Sequence, residues 1–261
     1  MARSRRTKQT RKYVQRFIVL ALLLVLACLG WLTWLWWQER DETGMVRYPE
    51  FGISMPTQYA IHGIDVSRYQ EGIGWSSVSA MDIDGIRIGF AFIKATEGVS
   101  SADPQFRRNW KGSKKAGIVR GAYHFFSPAK SGRLQAEHFI RTVPLEQGDL
   151  PPVVDIEGAA NVKPDVLRRE LKAWLDITER YYGVRPILYT YLNFYERYLQ
   201  GHFDDYPLWV AHYLQPEGPR ITRTWTFWQH SEQGHVNGIH ARVDFNVFSG
   251  DSTAFRALLV P

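Results

Sequence analysis

The sequence predicts an α/β protein built as a (β/α) barrel, and three observations carry that expectation. From residue 61 onward, short apolar or aromatic segments bounded by Gly or Pro recur along the chain. Amphipathic helical segments stand between the early ones. Several of the apolar segments end in carboxylates, at the place where a barrel gathers its functional groups. An open doubly wound sheet is the alternative. The glycines form neither a G-x-G-x-x-G nor a Walker loop, so nucleotide binding has no support.

The first strand is "IHGIDVS", ending at Asp65. The second is "IGFAFIKATEG", ending near Lys94 and Glu97, and the third is "VRGAYHFF". The fourth, "PPVVDIEG", carries Asp155 and Glu157. "PILYTY", "PLWVAHY", "WTFWQH" and "RVDFNVF", which holds Asp244, complete the set. A helix is expected over residues 104–116, with Asp103 as cap, Pro104 in the first turn and Gly117 as stop. A second is expected over 131–142. A third, over 165–182, carries Leu167, Leu171, Trp174, Thr178 and Tyr181 as one stripe and ends at Gly183. Beyond the fifth strand the helices shorten or vanish. "QPEGPRITR" is too short and too Pro-rich to be one, which explains why residues 61–261 are few for a barrel.

The front of the chain is different. Residues 1–16 hold seven Lys and Arg and no acid. Residues 17–37, "FIVLALLLVLACLGWLTWLWW", carry no charge and are long enough at about 1.5 Å per residue to cross a hydrocarbon layer of about 30 Å. The positive tail places the N-terminus in the cytoplasm and the body outside, and Trp31, Trp34, Trp36 and Trp37 suit the far interface. A single transmembrane signal anchor in the cytoplasmic (inner) membrane is therefore expected, with the body on the extracytoplasmic or periplasmic side. The run is long for a cleaved signal peptide and lacks an A-x-A site. Residues 38–60, with Pro49 and Pro56, read as a polar linker, and 61–261 as the barrel.

Setting the tail aside leaves 25 basic and 26 acidic residues, so the body has no nucleic-acid footprint. Cys28, the sole cysteine, lies in the apolar run, which excludes an intramolecular disulfide and thiol catalysis in the body. The histidines show no H-E-x-x-H, and His235 and His240 lie five apart in a Gly-containing loop, so neither a metal nor another cofactor is expected.

The carboxylates are the feature to explain. Asp65, Asp155, Glu157 and Asp244 converge on one mouth if the first and last strands close side by side. Residues i and i+2 of a strand face the same way, about 6.6–7 Å apart. Two carboxylates that close in a low-dielectric cleft repel, one keeps its proton, and an acid beside an anion is what cleavage of a glycosidic bond needs. The more apolar-packed of the two is expected to take the proton. Phe90, Phe92, Phe125 and Trp174 are expected in the core. Trp209, Tyr189 and Trp228 alternate along strands whose register is open. Lys94 and Glu97 suit either an ion pair or substrate contact, and His124 faces away from Tyr123 as a buried structural histidine.

Taken in order, "HGIDVSRYQ", "FAFIKATEG", "RGAYHFF", "PPVVDIEG", "PILYTY", "LWVAHY", "WTFWQHSEQG" and "VDFNVF" resemble the strand motifs of glycoside hydrolase family 25, the Chalaropsis-type lysozymes, over about residues 61–250. The resemblance implies a flattened TIM-like (β/α)5(β)3 barrel. It implies cleavage of the β-1,4 bond between N-acetylmuramic acid and N-acetylglucosamine of peptidoglycan. On it, Glu157 matches the proton donor, neutral beside its anionic partner Asp155, and Asp65 and Asp244 match the other cleft carboxylates. Tyr123, Tyr189, Trp209, Tyr213 and Gln229 match positions that line the cleft, with Lys94 and Glu97 added as substrate contacts. Substrate-assisted retention is the favoured mechanism, with inversion through a base such as Asp65 as the alternative. A non-catalytic wall-binding protein or a membrane-tethered scaffold are the competing readings. No repeated wall-binding module is visible, so tethering is expected to confine cleavage to nearby wall.

Overall fold

The apolar segments are strands, and the early ones are each followed by a helix that returns the chain for a parallel partner. The computed structural model describes residues 18–34 and 44–261. The chain divides into two units, Met1–Gly44 and Met45–Pro261. In the first, residues 18–34 form helix α1, with Leu24 and Trp31 among its exposed apolar side chains. Among the described residues no helix is long and apolar enough to cross a membrane. Of the expected anchor, Phe17 and residues 35–37 lie outside the described residues, as do the basic tail and residues 38–43.

The second unit opens with an antiparallel hairpin of β1 (Met45–Tyr48) and β2 (Ile53–Pro56). This corrects the expectation of a linker running to residue 60. Phe51 and Met55 are fully buried, the Phe51 ring meets Phe245 at 5.5 Å, and the His235 N–H donates to the Phe51 carbonyl at 2.9 Å. Ile53 and Met55 form a period-two pattern over a stretch too short to stand out from its Pro-bounded surroundings.

The strands β3 (Ile61–Val66), β4 (Asp82–Ile83), β5 (Ile86–Glu97), β6 (Ser101–Ala102), β7 (Val119–Phe125), β8 (Val153–Asp155), β9 (Ile187–Tyr191), β10 (Leu208–Ala211), β11 (Phe227–Gly234) and β12 (Val243–Phe248) follow. Eight of them close a barrel in the order β3, β12, β11, β10, β9, β8, β7, β5 and back to β3. The helices α2 (Trp75–Ala80), α3 (Phe106–Lys115), α4 (Gly132–Thr142) and α5 (Pro164–Tyr182) follow the first four barrel strands. After β9 comes only α6 (Leu192–Phe194) with one π turn, Tyr195–Leu199, and loops then join β10, β11 and β12. The late helices are missing as expected. The short β11–β12 connection has no room for a crossover, so β12 runs antiparallel to both its neighbours. Asp244 thus reaches the mouth from the start of its strand, where a strictly parallel barrel would place the end.

Inside the barrel, Phe90, Phe92, Trp209 and Phe227 pack ring on ring, with Phe92 stacked on Trp209 at 4.3 Å. Two glycines make the room. A Cβ at Gly63 would lie 2.5 Å from the Phe90 ring, and one at Gly121 would lie 2.6 Å from Phe92. At the opposite end from the mouth, α7 (Ser252–Leu258) presses Phe255 against Phe90 and Phe248. Its first turn is capped by Asp251, whose Oδ1 accepts from the Thr253 and Ala254 N–H groups.

Two helical details differ from the sequence reading. Asp103 caps one turn early: its Oδ1 accepts from Gln105 N–H, its Oδ2 from Arg68 N–H, and α3 begins at Phe106. On α5 the buried stripe runs Leu167, Leu171, Trp174, Thr178 and then to Tyr182, whose hydroxyl donates to the Val143 carbonyl, while Tyr181 is 63% exposed. Helical spacing sets Tyr181 and Tyr182 about equally far to either side of the stripe, so the contacts of Tyr182 with Val143 and Phe139 decide between them.

Candidate active site

At the C-terminal ends of the parallel strands lies a cleft of about 290 Å³. Asp65, Asp155, Glu157 and Asp244 all line it, together with Lys94, Tyr123, Tyr189, Trp209, Tyr213 and Gln229. Of the residues expected to touch substrate, only Glu97 lies outside this wall. β5 carries a bulge between Lys94 and Thr96. A bulge reverses strand parity, so Thr96 turns outward to hydrogen-bond His124 at 2.7 Å. Lys94 and Glu97, three apart, then pair at 2.7 Å, and Lys94 alone faces the cleft. His124 is the buried structural histidine expected. It is stacked on Trp174 and bonded to Gln135, and burial pushes it down to about 3. Phe125, expected in the core, is half-exposed at the cleft wall under the Lys94 ammonium. The register also settles the aromatics. Trp209 and Tyr189 are cross-strand partners facing the lumen, while Trp228 points outward and donates to the His212 carbonyl.

β8 ends at Asp155, so Glu157 is not a strand residue. Its inward aim survives because Ile156 N–H still bonds the Tyr189 carbonyl at 3.0 Å and Ile156 is buried on the outer side. The alternation of the strand therefore continues for two more residues. The electrostatics differ from expectation. Burial, then the neighbouring charges of Glu157 and Asp65, push Asp155 well above the usual carboxylate range. Glu157 is raised by burial too, but it is half-exposed, and the Tyr189 hydroxyl and Lys94 favour its ionised form. Asp155 is thus the more reluctant acid, the reverse of an anionic Asp155 beside a neutral Glu157. The reason is depth: Asp155 is 7% exposed and its Oδ1 is buried with no hydrogen-bond partner among the described residues.

Asp65 and Asp244 are directly opposed across β3 and β12. Burial and the Asp244 charge push Asp65 well up, and burial lifts Asp244 to about 6. Asp65 Oδ2 accepts from Gln229 Nε2 and from Asn246 Nδ2, each at 2.8 Å. Gln229 Oε1 in turn accepts from the hydroxyls of Tyr189 at 2.9 Å and Tyr213 at 2.7 Å. Gln229 therefore braces Asp65 as well as lining the cleft. Asn246 was missed in the sequence. The signal was present, since it lies two residues after Asp244 in "VDFNVF" and so shares a face with it. Tyr69, Gln70 and Glu232 also line the cleft and were missed. The first two stand on a one-turn 3-10 helix after β3, and Glu232 on β11 past a register shift, so strand alternation did not single them out.

A proton-holding carboxyl pair, a second pair with one orphaned oxygen and a wall of aromatic rings suit acid catalysis on a sugar chain. Residues 64–239 match the sequence model of glycosyl hydrolases family 25. The chain belongs to that family. It is a glycoside hydrolase of the muramidase type. Family 25 relatives include Lysozyme M1 of Streptomyces globisporus, 35% identical with 76% of this chain and 71% of that one covered. The uncharacterized protein YegX of Escherichia coli K12 is 47% identical, with 80% and 77% covered. Among solved structures, a family 25 glycosyl hydrolase from Bacillus anthracis superposes with a TM-score of 0.69 at 33% identity, covering 81% of this chain and 99% of that one. The Bacillus anthracis structure shares the barrel that brings the four carboxylates together here.

Proposed function

We propose that this protein cleaves the β-1,4 bond between N-acetylmuramic acid and N-acetylglucosamine in peptidoglycan, tethered by residues 17–37 to the cytoplasmic membrane with its barrel on the extracytoplasmic side. The observation that carries the chemistry is the buried, unpartnered Oδ1 of Asp155, held in the same cleft as the half-exposed Glu157. An N-acetyl group supplies what that oxygen lacks. Its N–H donates to Asp155, and the carboxylate form gains a partner and becomes the favoured one.

The acetamide oxygen, so oriented, attacks the anomeric carbon as the glycosidic bond breaks. Glu157 gives its proton to the leaving oxygen. Asp155 balances the positive charge that spreads over the acetamide ring, and Glu157 then takes a proton from the water that opens it. The anomeric configuration is retained. The lysozyme relatives support the substrate class, and the uncharged run behind seven cations supports the tether.

The test is muropeptide release by the full chain, read by mass spectrometry, for wild type and Glu157→Gln. Release by wild type alone supports the proposal. Equal, near-zero release with retained wall binding overturns it in favour of a binding protein. Proton NMR of the first-formed product tests the route, since an inverted anomer removes the acetamide mechanism and points to a base such as Asp65. An alkaline carbonate wash of membranes tests the tether, which is refuted if the chain washes off.

A further inference from the structure

Asn246 has three neighbours that fix its role. It is fully buried, it stands diagonally across from Asp65 on the neighbouring strand, and it lies directly opposite Gln229. The Trp209 indole N–H donates to Asn246 Oδ1 at 2.8 Å. An indole nitrogen only donates, so the atom it meets must be the carboxamide oxygen, and the amide cannot be flipped. Its Nδ2 therefore faces Asp65 Oδ2 as a donor, alongside Gln229 Nε2. An oxygen that accepts two N–H donors carries no hydrogen of its own. Any proton on Asp65 must lie on Oδ1, and Asp244 is the acid directly opposed to Asp65.

We infer that Asn246 is a positioning residue: held by the Trp209 indole, it confines any proton of Asp65 to Oδ1, the oxygen left to face Asp244. Its N–H, like that of Gln229, offsets part of the burial that raises Asp65. The inference rests on this cleft being the reactive site. The groups facing the pair are consistent with it. Lys94, Tyr123, Asp155, Tyr189 and Tyr213 surround Asp65, while Glu157 and Glu232 act on Asp244. With three other carboxylates on the wall, an Asp65 that also ionised would crowd a second full charge against Asp155. A proton pinned between Asp65 and Asp244 lets one charge serve for both.

The test is a titration of aspartate side chains labelled with ¹³C at the carboxyl, in the full chain, alongside the pH profile of kcat/KM. In wild type the Asp244 signal is expected to move first, with a midpoint near 6, and Asp65 to stay protonated. In Asn246→Leu the Asp244 midpoint is expected to rise by about one pH unit, because the Asp65 Oδ1–H is no longer held toward it. The acid limb of kcat/KM moves with it, and Asn246→Gln does not rescue the shift because its longer stem misplaces the amide. A folded Leu variant with an unmoved Asp244 midpoint and only a lower kcat overturns the inference. If the Leu variant does not fold, the wild-type titration decides: Asp65 ionising before Asp244 overturns it. The titration needs no turnover, so an inactive wild type that shows the expected order refutes the muramidase reading alone.

Discussion

Asp65 and Asp244 face each other across the antiparallel pairing that joins the first barrel strand to the last. Their opposition exists because β12 enters from the mouth, and it gives the cleft a carboxyl pair that holds one proton near neutrality.

That pair has a cost in stability that pH reveals. Asp244 is raised from its ordinary value to about 6 by burial, so the folded state binds a proton that the unfolded chain has released. Stability is full below the unfolded value near 4 and falls as pH rises toward 6. Asp244→Asn is expected to stabilise the fold at pH 7 by on the order of 2 kcal/mol, with the gain gone at pH 4. Thermal unfolding at the two pH values checks this; an equal gain at both would refute the linkage.

Replacing Glu157, the proposed proton donor, is expected to silence the enzyme without unfolding it. Glu157 is half-exposed, and Lys94 beside it is paired with Glu97, so Glu157→Gln keeps the melting temperature while turnover falls by about 10²–10⁴-fold. Muropeptide release and calorimetry on the same preparation read both quantities.

Tyr189 tunes that donor. Tyr213 by itself can satisfy Gln229 Oε1 at 2.7 Å, which frees the Tyr189 hydroxyl for Glu157, where it favours the ionised form. Tyr189→Phe removes this donor, so Glu157 holds its proton to higher pH. The alkaline limb of kcat/KM is expected to move up, and a downward or absent shift in the measured profile would contradict the assignment.

The lumen glycines are steric requirements. Gly121→Ala puts a Cβ 2.6 Å from the Phe92 ring, which is stacked on Trp209 and packed edge-on against Phe90 and Phe227. Overpacking of this kind costs about 1–3 kcal/mol. Urea unfolding of Gly121→Ala against Gly117→Ala, where a Cβ meets open space but φ is +75°, separates the steric cost from the backbone one.

The N-terminal hairpin belongs to the folded unit. Phe51→Ala is expected to lose about 3–5 kcal/mol by emptying the contact with Phe245, a loss visible as a lower denaturation midpoint. A linker residue would give no change.

The eight strands, three of the four helices between the first five, the loss of helices afterwards and the convergence of four carboxylates were legible in the sequence, while the short α2 (Trp75–Ala80) was not. Each rests on local chemistry: apolar runs stopped by Gly and Pro, caps, and alternation along a strand. What the tertiary structure alone decided is where local parity breaks or is extended. The bulge after Lys94 turned Thr96 outward and joined Lys94 to Glu97. The reversal of β12 brought Asp244 to the mouth by its other end, and the reach of Ile156 to Tyr189 carried Glu157 inward past the end of its strand. Depth did the rest, since burial ranks Asp155 above Glu157 as a proton holder, and burial depends on what the whole chain packs around a residue rather than on its neighbours in sequence.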